Sequence, residues 1–75
     1  PAVHRFVAER TTIEVEIVLN GQRRKMPVKC GWIQGRVYTL KPEFEPARAW
    51  AAEMDIPVRD VLQAVAEAGW QAVRN

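Results

Sequence analysis

Seventy-five residues, 48% of them hydrophobic and three of them Trp, fit one small domain and exclude a second core. The net charge of +2, with a pI near 9.2, is too mild for the concentrated basic stripe of a nucleic-acid-binding domain. One cysteine, Cys30, excludes an intrachain disulfide; with His4 as the lone histidine, an intrachain zinc site of four Cys or His ligands is excluded too.

The first ten residues read as an arm or an extra strand, through Val3, Phe6 and Val7. From Thr11 to Asn20, Ile13, Val15, Ile17 and Leu19 alternate with Thr12, Glu14, Glu16 and Val18. Period two puts the first set on a buried face and the second in water. Asn20-Gly21 then signals a hairpin, since both residues tolerate the positive φ of a type I′ turn. A second strand follows over 23–30, with Met26, Val28 and Cys30 inward and Lys25, Pro27 and Lys29 outward. Pro27 donates no ladder bond, which predicts an edge position or a bulge.

Gly31 to Gly35 reads as the next turn, which leaves Trp32 in a loop. Arg36 to Leu40 is a third strand, and Lys41-Pro42 ends it, because proline lacks the donor and restrains the residue before it. Pro46 suits the first turn of a helix reaching Met54, with Ala47, Trp50, Ala51 and Met54 on one stripe. Ile56-Pro57 opens a second helix whose inner stripe is Val58, Val61, Leu62, Val65 and Ala68. Gly69 is a candidate stop, although the pattern also runs on through Trp70 to Val73. Helices this short need a sheet to lie on. The expected fold is a single α+β domain over 1–75: two layers, a three-stranded antiparallel meander followed by two short helices packed on one face. A chain of this size buries only about 60–65% of its unfolded surface, so with Trp32 and Trp70 at the periphery a homo-oligomer is expected.

Little in the chain suits nucleophilic catalysis: Cys30 falls on the core face and no third group orients a Cys–His pair. The Lys-Pro-Glu-Phe-Glu corner is richer. Glu43 and Glu45 point the same way on an extended segment ahead of a helix, as ligands for Mg²⁺ or Mn²⁺ with substrate phosphates would. The competing reading is that one caps the helix and the other is solvated. Lys29, Arg36 and Lys41 are candidate phosphate ligands, provided the strand registers bring them together; residue type alone favours solubilising charges, and there is no glycine-rich phosphate loop. Glu14 and Glu16 read as cross-strand partners of Lys25 or Lys29. Arg23, Arg24 and Lys25 read as a solvated turn end; RNA binding there lacks interleaved aromatics, as only Tyr38 is well placed. No apolar run nears the ~20 residues of a membrane span, and the lone thiol suits a reducing cytoplasm, the expected location.

Four segments, in order, carry a resemblance: Val28-Lys29-Cys30-Gly31, Gly35-Arg36-Val37, Lys41-Pro42-Glu43-Phe44-Glu45 and the run from Ala51 to Val61 through Asp55-Ile56-Pro57. Together they resemble, over roughly residues 11–70, the C-terminal domain of the nickel insertion proteins that mature the pincer nucleotide cofactor of lactate racemase. The resemblance implies a domain that binds CTP with a divalent metal such as Mn²⁺ and forms a trimer or hexamer, in a protein that inserts nickel at the expense of CTP. It places Lys29, Arg36, Glu43 and Glu45 at the family's charged positions. Pro46 stands where the family has Asp, Ala47 where it has Cys, and the segment from Gly21 to Lys29 is longer than the family's hairpin. The large N-terminal domain of the family has no counterpart in these residues. The expectation is a CTP- and metal-binding module rather than a complete enzyme. The alternative is a small oligomeric protein-interaction module without a nucleotide.

Overall fold

The computed structural model describes residues 9–74. Its elements are β1 (Glu9–Leu19), β2 (Gln22–Ile33), β3 (Arg36–Pro42), α1 (Phe44–Met54) and α2 (Val58–Val73). The strands form one antiparallel sheet in the order β1-β2-β3. Both helices cover the same face, which is the expected α+β arrangement. The arm proposed over 1–10 lies outside the described residues except for Glu9 and Arg10, which open β1.

The buried set follows the alternation. Val15 and Ile17 of β1, Met26, Val28 and Cys30 of β2, Ala47, Trp50 and Ala51 of α1, and Val61 and Val65 of α2 form one core. Trp50 is its largest member and fully buried. Its indole Nε1 donates to Gln22 Oε1 at 3.1 Å, so the ring's one polar atom is satisfied. Arg24 lies over the same ring, its guanidinium carbon 5.3 Å from the centroid, and donates to Glu53 Oε1 at 2.7 Å. Arg24 is thus not a solvated turn residue. Its even position puts it on the helix-covered face, away from Arg23 and Lys25, and the basic run is split between two faces.

Both hairpins close on two residues with positive φ: Asn20 (50°) with Gly21 (74°), and Gln34 (53°) with Gly35 (79°). The second turn is tighter than the sequence suggests. β2 runs on to Ile33, so Trp32 is a strand residue whose Nε1 donates to Thr11 Oγ1 at 2.7 Å. Gly31 pairs with Thr39 and Trp32 with Val37, leaving Tyr38 as an extra residue on β3. That bulge brings Val37 and Leu40 to the same face.

Two proline positions differ from expectation. β2 is the central strand, not an edge. Pro27 is tolerated there because β3 pairing ends at Val28↔Pro42, and beyond it the Pro27 carbonyl accepts from the Glu43 N–H at 3.2 Å. The proline nitrogen faces that same side, past the end of β3, so no ladder bond is lost. Pro42 ends β3, but as its last residue, two positions beyond the expected Leu40. Since the Glu43 N–H points inward, the preceding Pro42 nitrogen points to the outer edge. α1 starts two residues before the predicted Pro46, which falls within the first turn, where its missing N–H had no partner. Asp55 ends α1 in the left-handed region (φ 58°), and the Ile56 N–H returns to Ala51 O at 3.1 Å. Gly69 does not stop α2. A Cβ there would lie 3.1 Å from both Leu40 methyls, so the glycine lets α2 close onto β3. Among the described residues, no helix is long and apolar enough to cross a membrane.

Candidate functional site

Among the described residues no element covers the sheet face opposite the helices, and its chemistry follows from parity and register. Lys29 pairs with Thr12 on one side and Lys41 on the other; the next row sets Gly31 between Arg10 and Thr39. Period two sends all six to the open face. They line a basin of about 420 Å³ to which they bring three cations and two Thr hydroxyls, and among the described residues no carboxylate lines it. Like charges directly opposite on paired strands repel, so Lys29 and Lys41 weaken the sheet slightly unless an anion joins them. Gly31 is the floor of the basin. A Cβ there would sit 2.4 Å from Thr39 Oγ1, so only glycine lets that hydroxyl lie over the strand.

Glu43 borders the basin. It occupies the N-cap of α1, yet its side chain makes no cap bond; Oε2 lies 3.9 Å from Lys29 Nζ, with the side chain 30% exposed. Glu45 accepts from Arg48 Nη2 at 2.8 Å and from Nε at 3.3 Å. The two acids of the corner therefore face different cations, and neither caps the helix. Among the described residues, no three His, Cys, Asp or Glu side chains gather to enclose a metal. Glu43 is the one corner carboxylate that the described residues place beside the basic basin.

The register unites Lys29 with Lys41 but not with Arg36. Arg36 pairs with Ile33, four residues along β2 from Lys29, and lines a different cavity with Trp32 and Trp70. Arg10, Thr12, Gly31 and Thr39 escaped the sequence reading. Arg10 shares the parity of Thr12 and Glu14, a signal that was present but fell in a segment without a clear pattern. Cys30 meets the basin only through its backbone side. Its side chain is 2% exposed on the core face, and burial pushes the thiol pKa up, which removes it as a nucleophile. On the rest of the open face, Glu16 faces Lys25 and lies 3.5 Å from Arg23, while Glu14 faces Pro27.

Comparison with known proteins adds an independent line. The family model described as "Nickel insertion protein" matches residues 1–62. A protein of Methanothrix thermoacetophila named "Putative nickel insertion protein" is 41% identical over 71 residues, covering 95% of this chain and 17% of its own length. One of the same name from Methanothermobacter thermautotrophicus is 41% identical over 63 residues, covering 84% and 15%. A third, from Methanosphaera stadtmanae, is 32% identical over 65 residues, covering 87% and 16%. The chain thus spans about a sixth of the length of these relatives. No solved structure matches it significantly.

Proposed function

Because the chain belongs to the nickel insertion protein family, we propose that it is the nucleotide- and metal-binding module of such a protein. The observation that supports this reading best is the Lys29↔Lys41 pair with Arg10 beside it, three cations with, among the described residues, only Glu43 at the border of their basin. In this reading the triphosphate of CTP lies across Lys29 and Lys41, with Arg10 as the third cation and the Thr12 and Thr39 hydroxyls as donors. Mn²⁺ or Mg²⁺ would be held by Glu43, or by Glu45 once it leaves Arg48, and would supply charge neutralisation for the phosphates. Cytidine as the base comes from the family resemblance, not from the basin. Nickel is cargo of the whole protein, and its insertion belongs to a chain about six times this length. The lone, buried thiol suits a cytoplasmic home.

Calorimetry with CTP and Mn²⁺ tests the reading. Binding in the micromolar to low millimolar range is expected, weakened about tenfold by Lys41→Ala and losing its Mn²⁺ dependence in Glu43→Gln. Absence of heat at millimolar nucleotide rules against it.

A second feature supports self-association. Val18 (59% exposed) and Phe44 (50%) are large apolar side chains left in water, and among the described residues no strand pairs with the outer edge of β1 or β3. In the alternative reading these features make the chain an oligomeric interaction module. A stable homo-oligomer by sedimentation, unchanged by CTP, would favour it.

A further inference from the structure

On the reading that the basin is a phosphate site, we propose that Glu43 sets its selectivity: the carboxylate turns away bare anions and admits polyphosphate that arrives with a divalent cation.

Glu43 is placed for this by what the helix does not use. It is the N-cap of α1, yet its side chain makes no cap bond. An N-cap side chain accepts from the N–H of the second or third helical residue, and Ser, Thr, Asp and Asn do so best. Here the third residue is Pro46, which has no N–H, and Glu is longer than those four. The carboxylate is therefore left to Lys29, with Oε2 3.9 Å from Nζ. The Glu43 backbone is pinned, since its N–H donates to Pro27 O at 3.2 Å. Pro27 and Lys29 share the open face by parity, so the carboxylate is tethered at the border of the basin.

As a contact within the fold the pair is weak. It is long for an ion pair, and the Lys29 side chain is 67% exposed, so solvent screens it. Its effect on an incoming ligand is larger. An anion set between Lys29 and Lys41 lies next to a tethered like charge, and the two compete for one ammonium group. The sign reverses for an anion complexed with Mg²⁺, an ion that is commonly held by one or two carboxylates together with phosphate oxygens. One side chain thus repels one form of the ligand and attracts the other, and specificity is the difference between the two affinities. Glu16 is on the same face but has no such reach. It lies 3.5 Å from Arg23 and stands opposite Lys25, four residues along β2 from Lys29, roughly 13 Å away.

The test is calorimetry with inorganic tripolyphosphate, in metal-free buffer and in excess Mg²⁺, on the parent chain, Glu43→Gln and Glu16→Gln. The parent should bind the Mg²⁺ complex at least about fivefold more tightly than the bare anion. Glu43→Gln should bind the bare anion about three- to tenfold more tightly than the parent does, and the Mg²⁺ complex more weakly. Glu16→Gln removes the same unit of charge and should keep the parent's preference. The Trp50 indole N–H signal in NMR, bonded to Gln22 in the core, should stay in place and report an intact fold in each variant. Three results overturn the inference and leave the phosphate reading standing: a parent that binds both forms equally, no gain for the bare anion in Glu43→Gln, or an equal gain in Glu16→Gln. No binding of either form, by the parent and Glu43→Gln alike, removes the phosphate site and this selectivity with it.

Discussion

Basic side chains at two places on this sheet meet opposite fates. At the β1–β2 turn, Arg24 is spent on the fold: it covers the Trp50 ring and reaches Glu53. Toward the other end, Lys29 and Lys41 stand side by side on the open face with Arg10 near, and among the described residues only Lys29 of the three has an acid within 4 Å, Glu43 at 3.9 Å. The first arrangement is complete within the chain. The second holds, among the described residues, more positive charge than is neutralised there, and the proposed binding surface rests on that surplus.

The comparison can be broken where it is most structural. Trp50→Ala should destabilise the domain by about 3–5 kcal/mol, enough to unfold much of it, as read by urea denaturation. Gly31→Ala comes next. Its Cβ collides with Thr39 Oγ1, with an expected loss of about 1–3 kcal/mol; adding Thr39→Ala should return most of it, and a double-mutant cycle measures the coupling. Arg24→Ala should cost about 1 kcal/mol, since a ring contact and a half-exposed ion pair are each modest. Lys41→Ala should leave stability within about 0.5 kcal/mol of the parent, or raise it by removing a like-charge neighbour, while weakening CTP. Equal stability losses for Arg24→Ala and Lys41→Ala would erase the distinction. The smallest effect is alkaline. Burial raises the folded pKa of Cys30, so the unfolded thiol loses its proton first; stability is full below the unfolded thiol's pKa and declines as pH rises through it. Cys30→Ala should flatten that alkaline decline in a urea series.

Much of the scaffold was legible because its signals are local. Alternation from Ile13 to Leu19 and from Met26 to Cys30 named the sheet's buried face, three-four spacing named both helix stripes, and Asn20-Gly21 named its turn. What stayed hidden depends on partners across the sheet. Gly31 looks like a turn residue, yet it is the floor beneath Thr39, a role visible only once β3 is paired. Pro27 looks like an edge marker, but β3 ends one residue short of it. Of the candidate site, Lys29, Lys41 and Glu43 converge as a meander allows, whereas the bulge at Tyr38 and the long β2 carry Arg36 to the other end of the hairpin. Arg10 needed the pairing with Gly31 before its parity meant anything.

The central claim is that the open face binds the triphosphate, and amide shift mapping with CTP and Mn²⁺ tests it most directly. Shifts should concentrate on Arg10, Thr12, Lys29, Gly31, Thr39, Lys41 and Glu43, leave the Trp50 indole still, and vanish in the Lys29→Ala/Lys41→Ala double variant. Shifts gathered at Trp32, Arg36 and Trp70 instead, or shifts that survive the double variant, would contradict it.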